Sequence, residues 1–158
     1  MIHKHTFKAT LSWEKIESAQ EDTKRIFLKS HTISIEGKET LSVSAAKAFK
    51  GDPDLHNPED LLLSSLMSCH MMSYLYVCAK NNVEVLQYND QAQAILETYA
   101  DGSGKIVEVQ INPQVIIQDA SQLELALSLH KEANKLCFIA NSCNFPVLHA
   151  PHCKVNVE

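Results

Sequence analysis

The chain has 158 residues, 45% of them apolar, with 4 Gly and 5 Pro, the composition of a single soluble domain that can bury a core and needs no linker. A formal net charge of -5 and a single arginine, Arg25, exclude a nucleic-acid surface, which requires clustered Lys and Arg against phosphate. The opening stretch MIHKHTFKATLSWEK lacks the apolar stretch of a signal peptide, so a cytoplasmic protein whose five cysteines stay reduced is expected.

In chain order, HTFKATLSW (5–13), RIFLKS (25–30), HTISIE (31–36) and TLSVSA (40–45) are short alternating or β-branched runs and read as antiparallel strands. After the loop KAFKGDPDLH, Asn57 is placed to cap a helix, with Pro58 at its first position and Asp60 three residues after the cap. That helix is expected to run to about Asn81. Nineteen of its residues, Leu61 to Ala79, contain no Asp, Glu, Lys or Arg, close to the length of a membrane span. Four serines and His70 interrupt the run, and the flanking stretches alternate like soluble strands, so a buried central helix is the expectation and no membrane partner.

LQYNDQAQAILETY and KIVEVQINPQVIIQ flank ADGSG as a long hairpin, with Val107, Val109 and Ile111 expected on one face. Ser121 and Glu124 have the spacing of a capping box, opening a second helix that reaches about Cys137. A strand in CKVNVE closes the chain. The order of elements is α+β, with no βαβ repeat and no Gly-rich phosphate loop.

The residues with chemical potential are cysteines. Cys69 lies mid-helix in SSLMSCHMMSYLYVCAK and Cys137 in KLCFIANSCNFPV. Taken alone, each is a core residue by default, because cysteine is among the most buried residue types. Ser65, Cys69 and Ser73 form an i, i+4, i+8 stripe of small residues that permits close approach to the helix. Cys78, His70 and His130 read as core or satisfied helix residues. A metal site is the competing reading, since Cys137, Cys143, His149, His152 and Cys153 fall within seventeen residues. Their spacing fits no standard zinc motif, so no metal and no cofactor are assigned.

AFKGDPDLHNPEDLLLSSLMSCHMMSYL followed by LCFIANSCNFPV resembles the OsmC/Ohr family of thiol-dependent hydroperoxide reductases, in the branch reading Asn-Pro-Glu, Ser-Cys-His-Met and Cys-Phe-Ile-Ala-Asn-Ser. The resemblance covers most of the chain. It implies one OsmC-like domain over 1–158: an α+β fold of antiparallel sheets around a long buried helix, forming an intertwined homodimer with active sites at the subunit interface. Cys69 then matches the peroxidatic cysteine, Cys137 the resolving cysteine, and Glu59 the acidic residue that steadies the site's arginine. Where the close branch reads Ala-Phe-Arg-Gly-Asp, this chain reads AFKGD, so the arginine's position is held by Lys50. A lysine can lower a thiol pKa but lacks the two-pronged fork of an arginine, which leaves Arg25 as a second candidate cation.

The implied function is reduction of an organic hydroperoxide through a Cys69 sulfenic acid and a Cys69–Cys137 disulfide, regenerated by a small dithiol, of lipoyl type by the resemblance. Met67, Met71, Met72 and Tyr76 would supply an apolar wall for the alkyl group. A non-catalytic OsmC-like protein that binds a small ligand or a metal is the alternative.

Overall fold

The computed structural model describes residues 2–15 and 28–156. Its chain divides into two compact units, Met1–Leu61 and Leu62–Glu158. In the first, β1 (Thr10–Ser12), β2 (His31–Ser34) and β3 (Leu41–Val43) form an antiparallel sheet in chain order. The strand expected at 25–30 falls partly outside the described residues, as does Arg25, and Leu28 and Lys29 form a turn into β2. After β3 the chain folds tightly back on itself. Ser44 Oγ accepts a hydrogen bond from the Asp52 amide (3.0 Å), and Gly51 is buried where a Cβ would lie 1.7 Å from the Ala45 carbonyl oxygen. Only glycine fits there.

The cap of α1 (Pro58–Lys80) is as the sequence indicates: Asn57 Oδ1 accepts from the Asp60 amide at 2.9 Å, and Asn57 Nδ2 donates to the Asp60 carboxylate at 2.6 Å. Twenty-three residues without an interior Gly or Pro give a rod ~34 Å long. It ends in a Schellman motif, with Asn82 left-handed (φ 57°), its amide donating to the Ala79 carbonyl and the Val83 amide to the Cys78 carbonyl. By length and composition α1 is apolar enough to cross a membrane. Leu66, His70, Tyr74, Val77 and Cys78 instead turn one stripe of it into the core.

The second unit holds two three-stranded sheets. The long hairpin is real but divided: β5 (Gln93–Thr98) pairs with β6 (Gly104–Ile111), while β4 (Val85–Asn89) pairs with β7 (Gln114–Ile117) in a different sheet. The division falls where Asp90 Oδ1 accepts the Asn112 amide (2.7 Å), Asn112 Nδ2 donates to the Gln91 carbonyl (2.6 Å), and Pro113 has no amide hydrogen to continue the ladder. A shift in register pairs Ile95 with Glu108 but Leu96 with Ile106, leaving Val107 in a bulge. Ile106 therefore joins Val109 and Ile111 against Leu66, in place of the Val107 expected on that face.

Helix α2 (Leu123–Leu136) buries Ala126, Leu129, His130 and Ala133, one face at helical spacing. The Ser121–Glu124 capping box does not form. Asp119 instead accepts the Ser121 amide (2.8 Å) and starts a 3-10 turn, Ala120–Gln122, that leads into α2. Two strands follow: β8 (Val147–His149), unanticipated from sequence, lies parallel to β6, and β9 (His152–Val155) parallel to β7. The α+β arrangement holds, and these two parallel pairs are additions to its antiparallel frame. Tyr74, Val77 and Cys78 of α1 pack with α2, Val115 and Ile117, whereas Leu66 packs on the β5–β6–β8 sheet.

Candidate functional site

Cys69 sits on the edge of the buried stripe of α1, 9% exposed. Cys137 lies just past the end of α2, where the chain leaves the helix (φ -70°, ψ 106°), so it is not helical as the sequence suggested. The two meet. The Cys69 thiol is near enough to act on the Cys137 thiol, and both sulfurs are free. The Ala140 amide donates to Cys137 Sγ at 3.4 Å. Burial, and then the neighbouring Cys69 thiol, push the Cys137 thiol up to about 11 against the pull of the Ala140 and Ile139 amides. At neutral pH Cys137 is a protonated thiol.

An apolar cleft of about 480 Å³ opens over Cys69, lined by Met72, Ser73, Tyr76, Leu136 and Phe138. Of the four residues expected to form a wall, Met72 and Tyr76 line this cleft, Met67 packs against the Leu66 cluster, and Met71 is half-buried outside the lining. Leu136 and Phe138 were not singled out from sequence, although they flank Cys137 directly.

The other two candidates belong to the first unit. Lys50 is exposed and closes the 3-10 turn Lys47–Phe49 in a left-handed conformation (φ 58°). Glu59 is half-buried in the first turn of α1, where an acidic side chain is favourable to the helix dipole. No ion pair joins Lys50 to Glu59 among the described residues.

The adjoining flank of α1 carries a cluster in which His70 and His130, expected to be satisfied helix residues, meet Tyr74 and His149. His70 Nε2 lies 3.0 Å from His130 Nδ1, the His149 ring packs on His70 with centroids 4.4 Å apart, and Tyr74 stacks on His130 at 3.8 Å. Burial, with the neighbouring imidazoles adding to it, lowers His70 to about 3 and His130 to about 4, and burial lowers His149 as well. The rings are therefore neutral. The Tyr74 hydroxyl donates to the Ala126 carbonyl (3.1 Å) and lies 3.8 Å from Cys153 Sγ.

This arrangement overturns the metal cluster considered from sequence. Cys137 is turned to Cys69, Cys143 Sγ donates to the Ile139 carbonyl (3.3 Å), Cys153 faces Tyr74, His149 joins His70, and His152 is exposed. No group of three or more His, Cys, Asp or Glu among the described residues is placed to hold a metal ion.

Residues 51–149, which include both cysteines, match the family described as OsmC-like protein. The chain belongs to the OsmC-like family. Among solved structures, this OsmC-like protein is similar to an OsmC-like protein of unknown function from Vibrio cholerae, with 26% identity and a TM-score of 0.82 over 94% of this chain and 100% of that one. It shares its fold with an organic hydroperoxide resistance protein from Elizabethkingia anophelis (16% identity, TM-score 0.69, 99% and 100% covered). The same holds for the organic hydroperoxide resistance protein OhrB of Bacillus subtilis (19%, TM-score 0.61, 95% and 98%). No curated protein sequence matches it.

Proposed function

We propose that this OsmC-like protein is a thiol-dependent peroxidase that reduces organic hydroperoxides. The observation that carries the reading is a free thiol, Cys69, lining an apolar cleft with a second free thiol, Cys137, beside it. Family membership and the hydroperoxide resistance proteins that share the fold point the same way. The Cys69 thiolate attacks one peroxide oxygen and breaks the O–O bond; the departing alkoxide takes a proton and leaves as the alcohol, with Cys69 oxidised to sulfenic acid. Cys137 then attacks that sulfur, releasing water and forming the disulfide, and an external dithiol returns both to thiols. Met72, Tyr76, Leu136 and Phe138 bury the alkyl part of the peroxide, so hydrogen peroxide is the poorer substrate.

The site is completed in a homodimer. Phe138 is 80%, Tyr76 59% and Met72 57% exposed on the outer face of α1 and beyond α2, an apolar surface suited to a second copy. Glu59 and Cys69 are ten residues apart on one unbroken helix, ~15 Å along its axis, so any role of Glu59 beside the thiol is served from the partner subunit. Lys50 is the cation assigned to that role.

The test is peroxide consumption with reduced lipoamide, comparing cumene hydroperoxide with hydrogen peroxide. Faster loss of cumene hydroperoxide, abolished in Cys69→Ser, is expected. Equal and negligible loss of both overturns the reading.

A further inference from the structure

His70 and His130 are sealed in the core, 1% and 3% exposed, and joined to each other by a hydrogen bond, with His70 Nε2 3.0 Å from His130 Nδ1. The pair is an uneconomical way to fill that space. The outer nitrogens, His70 Nδ1 and His130 Nε2, are buried without a partner among the described residues, and each neutral ring carries one N–H, so either direction of the bond leaves one buried N–H unpaired. Two leucines would occupy similar room without that penalty. What apolar side chains lack is direction: they pack at many offsets, whereas a buried hydrogen bond holds its two atoms at one.

The direction runs between the two helices that carry the thiols. α1 bears Cys69 next to His70, and α2 bears His130 two turns before Cys137, so these two side chains leave α2 from nearly the same side, ~10 Å apart along its axis. A second bond repeats the link one turn on. Tyr74, four residues after His70, donates to the carbonyl of Ala126, four residues before His130. Bonds at two successive levels fix both the slide and the rotation of α2 on α1, and the His149 ring of β8, 4.4 Å from that of His70, backs them. The tolerance that matters is at sulfur. A disulfide forms only where the two Cβ atoms come within ~4.5 Å of each other, so a slide of about an ångström between the helices impairs it, whereas oxidation of Cys69 by a peroxide needs no second thiol.

We infer that the His70–His130 bond positions Cys137 against Cys69, and so sets the rate of disulfide formation and not that of the first oxidation. The consequence for turnover rests on the peroxidase reading; the positioning itself belongs to the thiol pair, whatever oxidises it. Once a hydroperoxide has converted Cys69 to sulfenic acid, two fates compete. Cys137 attacks the sulfur, the S–O bond breaks and water leaves; or a second hydroperoxide transfers an oxygen, giving sulfinic acid and another alcohol and ending turnover. The imidazole pair favours the first.

The test compares the full chain with its His130→Asn, His130→Gln and His130→Leu variants. An Asn amide reaches the place of the imidazole Nδ1, a Gln amide that of Nε2, and Leu has the shape of Asn with no polar atom; all three lose the imidazole stack on Tyr74. Each protein is mixed with cumene hydroperoxide, quenched at intervals and weighed by intact mass spectrometry. Loss of the Cys69 thiol should proceed at one rate in all four. Disulfide formation should be roughly tenfold slower in His130→Leu and His130→Gln, near the upper limit for one hydrogen bond, with sulfinic acid accumulating, and largely restored in His130→Asn. Stability alone predicts the reverse order, because a buried Leu is tolerated better than a buried Asn. His70→Gln, which keeps a polar atom at the Nε2 place, should likewise outperform His70→Leu. Equal disulfide rates in the Leu and Asn variants overturn the inference, as does a wild-type rate in His130→Leu. Equilibration with oxidised glutathione repeats the comparison without peroxide: the equilibrium constant for the disulfide should fall about tenfold in His130→Leu, a potential ~30 mV higher, and recover in His130→Asn. That shift with no peroxide reaction in any of the proteins would defeat the peroxidase reading and uphold the positioning; peroxide reaction with no such shift defeats the positioning alone.

Discussion

Cys69 and His70 are neighbours in sequence, turned about 100° apart on the same helix, and they stand in opposite kinds of surroundings. Cys69 opens on a cleft whose walls leave room beside a second thiol. His70 is sealed among His130, His149 and Tyr74, its ring neutral and packed. What separates them is the part of α2 each one meets: the helix end, where the chain turns away and exposes space, or the middle of its buried face. On the proposed function one flank serves reaction and the other cohesion, so changes on each should move different measurements.

The largest effect is expected at the reactive flank. Cys69→Ser should bring peroxide consumption to background while leaving the melting temperature nearly unchanged. Cys137→Ser should leave the first oxidation intact and trap a sulfenic acid on Cys69. In the unaltered protein, one equivalent of peroxide should produce a Cys69–Cys137 disulfide in non-reducing peptide maps, with Cys78 and Cys153 still reduced. If Cys69→Ser keeps most of its activity, the assignment of that flank is wrong.

Next comes the cohesive flank. Tyr74→Ala removes a fully buried ring and its bond to the Ala126 carbonyl, at an expected cost of about 4 kcal/mol in denaturant unfolding. Reaction of Cys69 with peroxide, in the fraction that stays folded, should change little. A Tyr74→Ala protein of wild-type stability would mean that the rings contribute no cohesion.

Acid should expose the same difference without mutation. His70 and His130 are lowered below the ordinary imidazole value, so the unfolded chain binds protons that the folded one refuses. Their contribution is fully present above about pH 6.5 and is lost as pH falls toward their folded values. Each ring then costs about 1.4 kcal/mol per pH unit. Urea midpoints measured from pH 7 to pH 4.5 should fall steeply, and the fall should shrink in His70→Gln. A flat profile would count against the burial of these rings.

The smallest effect is expected from Lys50→Arg. If Lys50 supplies the activating cation, restoring the planar fork should raise the rate of Cys69 oxidation severalfold with no change in stability. An unchanged rate would remove Lys50 from the site and direct attention to Arg25.

What could be read in the sequence was local, or gathered in one motif. The Asn57–Pro58–Asp60 helix start is written in four consecutive residues, and the structure has it. The two cysteine boxes led to the pair that meets. The cleft was half legible: Met72 and Tyr76 belong to the apolar wall expected on the cysteine-bearing helix, but Leu136 and Phe138 matter only because α2 stops one residue before Cys137. The Val107 bulge depends on a partner strand, and β8 is a three-residue run that becomes a strand only against β6. The imidazole cluster draws on α1, α2 and β8, whose contacts no spacing rule connects.

The divided hairpin also sets an order of assembly. β5 and β6 are joined by a turn at residues 99–103 and can zip up from it with little loop to close. β8 and β9 pair with β6 and β7 only after α2 has been laid down between them, contacts of long sequence separation that form slowly. Pulse-labelled hydrogen exchange during refolding should find the β5–β6 amides protected before those of β8 and β9. Cys137, held between α2 and β8, is then among the last groups delivered to its position. A nascent chain would carry Cys69 for some time with no neighbour to oxidise against, and the disulfide becomes possible only once folding is nearly complete.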